Sequence, residues 1–176
     1  RLRGGSLEAD SLILDRATGI ASLVVDAGTL VGRPVVAVTG GGVFRLSAAE
    51  RTTVELGGLL VDETSGGLVD LGAGEITIGA AGYLVNQLRN DLIIGRNGGA
   101  WDGTAGITSS VAAADPARAI GYLVAADGSA RVAVTSAGDA NLDGMVDVFD
   151  LVSIAGAGRF GIDQPADWTQ GDTNYD

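Results

Sequence analysis

The sequence predicts a mainly β fold in which a glycine-rich region of short strands, with one helix and one hairpin, precedes a small acidic tail with its own helix. Hydrophobic residues make up 46% of the 176 residues and aromatic residues only 5%, so the core is aliphatic, as strands favour. The 29 glycines separate short apolar runs and indicate many tight turns. Residues 138–176 hold eight Asp and one Arg of a chain whose net charge is −11.

Residues 6–79 are predicted to form a succession of short strands separated by glycine-rich turns. Apolar residues alternate in two of them, at Val54 and Leu56 and again at Ile76 and Ile78, which is typical of strands with one buried face. The strands start at 11, 22, 35, 43, 53, 59, 68 and 75. This spacing is too irregular for a strict repeat, and it fits a β-solenoid or an antiparallel sandwich, of which we favour the solenoid.

A helix and a hairpin are predicted to complete the first domain, residues 1–137. Leu84, Leu88 and Leu92 fall four residues apart, which indicates an amphipathic helix near 83–94 that Gly95 ends. Two apolar runs near 119–135 flank Asp127-Gly128, a turn signal for a hairpin.

The segment GDANLDGMVDVFDL, which follows the hairpin, carries the clearest chemical signal. A hard cation such as Ca²⁺ takes six to eight oxygen ligands, and a loop of twelve residues supplies them from positions 1, 3, 5, 7, 9 and 12, with glycine at position 6. Gly144 occupies position 6. The predicted ligands are the side chains of Asp139, Asn141, Asp143, Asp147 and Asp150 and the carbonyl of Met145. The chain has no Cys and no His, so an oxygen-binding metal is favoured.

The loop is followed by a predicted helix at 148–157 and by the start of a second loop, in which Asp172, Asn174 and Asp176 occupy positions 1, 3 and 5. This pattern resembles a type I dockerin over residues 138–176, incomplete in its second repeat. The resemblance implies two Ca²⁺ loops and a cohesin as partner. Val148 and Phe149 stand at loop positions 10 and 11, where the family carries a small hydroxylic pair that contacts the cohesin.

A second resemblance covers most of residues 58–176. The segment LRNDLIIGRNGGAWDGTAGITSS, followed by a hairpin and the VFDL loop, is similar to the C-terminal region of large autotransporter-like, β-helical secreted bacterial proteins. This resemblance implies an extracellular or cell-surface location. Because the chain starts at Arg1 and ends inside the second loop, we expect it to be a fragment.

Two further groups of residues are weaker candidates for a site. Arg96, Asn97, Trp101 and Asp102 combine an aromatic ring with polar groups, a combination that suits a sugar of a polysaccharide, but a capped helix followed by a packed Trp explains them better. Pairs of carboxylates catalyse glycoside hydrolysis. The acidic residues that lie in or beside strands are Glu55, Asp62, Glu63, Asp70 and Glu75, where an outward acid is ordinary.

The sequence therefore favours an attachment module rather than an enzyme. We expect a β-rich stalk and a Ca²⁺-binding tail that tethers a secreted protein to a cohesin-like protein or to the cell surface. The alternative is the C-terminal part of a polysaccharide-degrading enzyme with its catalytic domain upstream. The negative charge argues against nucleic acid and anionic membrane as partners. The sequence contains no run of 18 apolar residues, so no membrane span is predicted.

Overall fold

The computed structural model describes residues 1–17, 21–80, 85–159, 161–162 and 165–175. The strands in these ranges are β1 (Ser6–Glu8), β2 (Ser11–Asp15), β3 (Ser22–Val25), β4 (Thr29–Val31), β5 (Val35–Thr39), β6 (Val43–Leu46), β7 (Thr53–Leu56), β8 (Gly58–Val61), β9 (Leu68–Asp70), β10 (Glu75–Ile78), β11 (Gly106–Thr108), β12 (Arg118–Val124) and β13 (Ala130–Ser136). The α-helices are α1 (Val85–Arg96), α2 (Ser110–Ala114) and α3 (Val148–Gly156). Short 3-10 turns lie at Glu63–Ser65, Asn97–Gly99 and Trp168–Gln170.

The first ten strands and β11 form a three-sided β-solenoid of about three turns. One face is the parallel sheet β2-β5-β8, the second is β3-β6-β9-β11, and the third consists of the parallel pairs β1-β4 and β7-β10. Ser11 pairs with Val35 and Val35 with Gly58, so successive coils are 24 and 23 residues long on this face. The predicted solenoid is confirmed, and its parallel pairing excludes the antiparallel sandwich.

The solenoid core consists of aliphatic side chains stacked in register from coil to coil. Leu14 lies beside Val38, and Val38 beside Val61; all three are buried. Burial of one such side chain contributes about 1.5–3 kcal/mol. The residues that alternate with these along each strand face outward, as the two-residue period of a strand requires. Ile13, next to Leu14, is accordingly 63% exposed.

Glycines at one corner of the solenoid allow successive coils to approach each other. A Cβ atom on Gly42 would lie 2.0 Å from the carbonyl oxygen of Leu14, and one on Gly67 would lie 2.2 Å from that of Val38. Any larger residue would therefore collide with the backbone of the coil before it. The high glycine content is thus partly a packing requirement.

Helix α1 and the β12-β13 hairpin lie where the parallel coils end. Leu88 and Leu92 are fully buried, and α1 packs against β11. Strand β13 pairs antiparallel with β10, and β12 continues that sheet. The helix predicted near 83–94 and the hairpin predicted near 119–135 are both present; Tyr83 and Leu84 lie outside the described residues.

The acidic tail packs against the hairpin through an aromatic cluster of Trp101, Tyr122, Trp168 and Tyr175. The ring centroid of Tyr175 lies 6.0 Å from that of Trp168, 6.1 Å from Tyr122 and 6.2 Å from Trp101. Such ring pairs contribute about 0.5–1.5 kcal/mol each beyond area burial. The Tyr175 hydroxyl also donates to the Ile120 carbonyl, which joins the tail to β12.

The described part of the tail, residues 138–159, 161–162 and 165–175, has α3 as its α-helix and a 3-10 turn at Trp168–Gln170. A second α-helix is not found in these ranges. Helix α3 matches the helix predicted at 148–157. Across all the described ranges, the helices are too short or too polar to span a membrane.

Candidate calcium-binding loop

Asp150 draws the two ends of the predicted calcium loop together. Its Oδ1 atom accepts hydrogen bonds from the backbone N–H groups of Ala140 (2.8 Å) and Asn141 (3.2 Å), and its Oδ2 atom accepts from Asp147 N–H (2.8 Å). Positions 2, 3, 9 and 12 of the loop therefore meet around one carboxylate, which is 2% exposed. The twelve residues form a closed loop rather than an extended segment.

Asp139 is the other buried carboxylate of the loop and is 0% exposed. It accepts from the backbone N–H groups of Asp143 (3.1 Å) and Gly144 (2.9 Å) and from the hydroxyl of Thr135. A buried carboxylate is tolerated only where such donors compensate its lost hydration. Asp139 and Asp150 are thus both fixed in place by hydrogen bonds.

The chain reverses direction between these two carboxylates. Gly144, at position 6, has φ 95°, a left-handed conformation that glycine adopts without steric cost. Asn141 Oδ1 accepts from Asp143 N–H (2.8 Å), and Asp143 Oδ1 accepts from Met145 N–H (2.9 Å). Each of these side chains stabilises the turn two residues further on. The spacing of polar residues therefore sets the shape of the loop as well as its donor set.

Asp147, at position 9, begins helix α3. Its carboxylate accepts from Phe149 N–H at 2.8 Å, and together with Asp150 it forms a reciprocal capping box. Such a cap stabilises a helix by about 0.5–2 kcal/mol. The final third of the loop is therefore also the N-terminus of the helix.

The surroundings of Asp150 favour its charged form. Burial is the largest single influence and raises the pKa, but the hydrogen bonds from the N–H groups of Asp147, Asn141 and Ala140 together outweigh it. The pKa of Asp150 consequently lies below the ordinary value of an aspartate. A carboxylate that stays ionised is what a cation ligand must provide.

The donor chemistry of the loop fits a hard cation, since its predicted ligands are carboxylate, amide and carbonyl oxygens. Their arrangement is only partly formed, because Asp143 and Asp147 are exposed while Asp139 and Asp150 are buried. Among the described residues, no group of three or more acidic side chains is already arranged around a metal position.

The second predicted loop is described only in part. The carboxylate of Asp172 pairs with Arg89 on α1 at 2.8 Å and accepts from Tyr175 N–H at 2.6 Å. Asn174 is exposed, and Asp176 lies outside the described residues. In the described part, this segment therefore fastens the tail to α1.

The possible sugar-binding residues do not present an open aromatic face. Trp101 is 4% exposed, and its ring makes an edge contact with Tyr175 in the aromatic cluster. Asp102 accepts from the side-chain amide of Asn97 at 2.9 Å. Arg96 ends helix α1 and is half-buried. The four residues form a packed turn between α1 and β11.

The five candidate carboxylates on the solenoid all accept hydrogen bonds. Glu55 pairs with Arg33, Asp70 with Arg45, and Glu75 with both Arg51 and Arg131, each at 2.8 Å. Asp62 caps the 3-10 turn at Glu63–Ser65, and Glu63 accepts from the amide of Asn90 at 3.2 Å.

Comparison of the chain with protein-family models, with curated proteins and with solved structures finds no match.

Three residues outside the loop hold it against the rest of the molecule, and sequence reasoning missed their role. The Thr135 hydroxyl donates to Asp139, Trp168 Nε1 donates to the Asp139 carbonyl (2.7 Å), and Arg131 donates to the Leu142 carbonyl (3.1 Å). The sequence held one indication of the Trp168 contact, because a glycine inside a strand, here Gly121, often marks a site where another group packs closely against the backbone. Thr135 and Arg131 look in sequence like ordinary strand residues.

Proposed function

We propose that the loop from Asp139 to Asp150 binds one Ca²⁺ ion and that the chain is a calcium-stabilised attachment module of a secreted or cell-surface protein. The observation that carries the proposal is the closure of the loop around two buried carboxylates, Asp139 and Asp150, which stand at the first and last ligand positions.

Each predicted ligand has a distinct part in this proposal. Asp139 and Asp150 are the fixed pair, since backbone N–H groups already orient them. Asp143 and Asp147 are exposed and supply the carboxylates that reorient, while Asn141 and the Met145 carbonyl add neutral oxygens. A bound Ca²⁺ ion offsets the repulsion among these charges. Binding is thereby linked to the ordering of the loop.

Attachment to a partner is supported by the surface of α3. Val148, Phe149, Leu151 and Val152 are each 60–63% exposed. Contiguous exposed apolar side chains of this kind are typical of protein-binding surfaces. The proposed partner is a cohesin-like protein or a cell-surface component outside the cell, where dissolved calcium is abundant enough for a weak extracellular site.

Calorimetric titration with CaCl2 tests the metal site. We expect one ion per wild-type chain and at least tenfold weaker binding by Asp139→Ala and Asp150→Ala, because each loses a carboxylate from the ligand set. Asp10→Ala is the control, since it removes the same charge from an exposed turn of the solenoid. Equal binding by all four proteins would refute the proposed site.

The attachment surface is tested by surface plasmon resonance over an immobilised type I cohesin domain and over isolated bacterial cell walls, with calcium and with EDTA. Calcium-dependent binding to either should be lost in Leu151→Ser/Val152→Ser. The matched control is Ile13→Ser/Leu60→Ser, which makes an equal change at exposed positions of the solenoid. Failure to bind both probes, or retention of binding in the α3 variant, would rule out attachment through this surface.

A further inference from the structure

We propose that Thr135, which lies outside the twelve-residue loop, is the positioning residue of its calcium site and makes calcium affinity depend on the β12-β13 hairpin. This inference rests on the calcium site proposed above and adds a residue that the loop pattern does not contain. It concerns a single ligand, Asp139, and the groups that hold it from outside the loop.

Thr135 is fixed within the hairpin. It lies on β13 opposite Ala119 of β12 and is 4% exposed. Its hydroxyl donates to Oδ2 of Asp139, the oxygen that also accepts from Gly144 N–H. At Thr135 itself β13 pairs with β12, and two residues earlier, at Ala133, it also pairs with β10, so the hydroxyl is presented from a strand of the sheet.

The backbone of Asp139 is held from outside the loop as well. Its carbonyl accepts from Nε1 of Trp168 at 2.7 Å, and Trp168 is fully buried over Gly121. Asp139 is thus the proposed ligand that contacts both the hairpin, through Thr135, and the 3-10 turn of the tail, through Trp168. The Thr135 hydroxyl is the outside contact that acts directly on its carboxylate.

Groups that orient a metal ligand through a hydrogen bond raise metal affinity, and removing one lowers it by about 10- to 100-fold. Thr135→Val keeps the shape of the side chain and removes only the donor. Without it, the Asp139 carboxylate loses the contact that sets its rotation from the hairpin side. We therefore expect calcium to bind about tenfold or more weakly.

The experiment is calorimetric titration of the full chain with CaCl2, using Thr135→Val, Thr135→Ser and Thr108→Val. Thr135→Ser retains the hydroxyl and should bind within about threefold of wild type. Thr108→Val is the matched control, since Thr108 is also a buried strand threonine, whose hydroxyl donates to the Trp101 carbonyl. It should change the unfolding temperature in EDTA but not the calcium affinity.

The outcomes separate this inference from the calcium site itself. If wild type binds calcium and Thr135→Val binds it equally well or more tightly, the role of Thr135 is overturned and the site stands. If Thr108→Val weakens binding as much as Thr135→Val, the effect is general destabilisation and the inference again fails. Absence of binding by wild type would overturn both proposals. Should Thr135→Val lack a cooperative unfolding transition, Thr135→Ala compared with Thr135→Ser provides the same test of the hydroxyl.

Discussion

Asp150 joins the two ends of the proposed calcium loop and also completes the cap of helix α3. These contacts come from the N–H groups of Ala140, Asn141 and Asp147. A protonated carboxyl would accept them more weakly. The charge on this one side chain therefore stabilises both the loop and the start of the helix.

The lowered pKa of Asp150 predicts how the stability of the calcium-free chain depends on pH. A group whose pKa is lower in the folded state stabilises the fold above its unfolded pKa, about 3.9 for aspartate, and this stability is lost as pH falls through the lower folded pKa. Wild type should therefore be more stable than Asp150→Asn near neutral pH, and the difference should shrink below about pH 4.

Urea unfolding from pH 7 to pH 2.5 in calcium-free buffer measures this difference. The control is Asp115→Asn, which replaces an exposed carboxylate. The difference in free energy of unfolding between this variant and wild type should be smaller at every pH. A gap between wild type and Asp150→Asn that stays constant down to pH 2.5 would show that ionised Asp150 does not stabilise the fold.

The turn of the 139–150 loop could be predicted at the residue scale because the spacing of its polar residues is local, while their role as calcium ligands stays a prediction. Asp139, Asn141, Asp143 and Asp147 follow one another at intervals that a single turn imposes. The contacts of Thr135 and Trp168 with Asp139 were not predictable in this way. Trp168 lies 29 residues from Asp139. The spacing of residues within the loop does not indicate which distant residue packs against the loop.

Elements of the solenoid were predictable where an apolar pattern of four or more residues marked them. The runs at 53–56 and 75–78 coincide with β7 and β10. The five-residue helix α2 was missed, as were strands β1, β4 and β11, whose three residues each carry too little pattern. Their strand conformation comes from pairing with the neighbouring coil.

The corner glycines predict a large effect of a small substitution. In Gly42→Ala, the added methyl group would lie 2.0 Å from the carbonyl oxygen of Leu14, so coils must separate, at a cost of about 1–3 kcal/mol. Gly156→Ala in α3 adds the same group in open space and should be neutral or slightly stabilising.

Thermal unfolding followed by circular dichroism compares these two variants. We expect a lower unfolding temperature for Gly42→Ala alone. Equal unfolding temperatures for Gly42→Ala and wild type would mean that the coils are not in close contact at this corner.

At the scale of the whole molecule, the tail is packed against the rest of the chain rather than attached to it by a flexible linker. Trp168 and Tyr175 pack on β12, and the Asp172 carboxylate pairs with Arg89 on α1. The choice between solenoid and sandwich was also decided only at this scale, because strand register depends on long-range pairing. The division into residues 1–137 and 138–176 remains a prediction, and the buried aromatic cluster lies across it.

Gly121→Ala tests the packing of the tail on the hairpin. The added Cβ would lie 2.4 Å from Trp168 Cε2 and 2.6 Å from Leu142 Cδ2, so the indole must move from its buried position. We expect a red shift of tryptophan emission and a loss of about 1–3 kcal/mol in the free energy of unfolding. Gly156→Ala again serves as the control. Unchanged emission in Gly121→Ala would show that Trp168 does not rest against β12.

A crystal structure grown with CaCl2, with anomalous data to locate the ion, tests the central claim most directly. Calcium binding at the loop predicts one anomalous peak within about 2.3–2.6 Å of carboxylate oxygens of Asp139, Asp143 and Asp150. It also predicts that the exposed side chains of Asp143 and Asp147 have turned inward. A well-ordered loop without a peak, with Asp143 still in solvent, would contradict the claim.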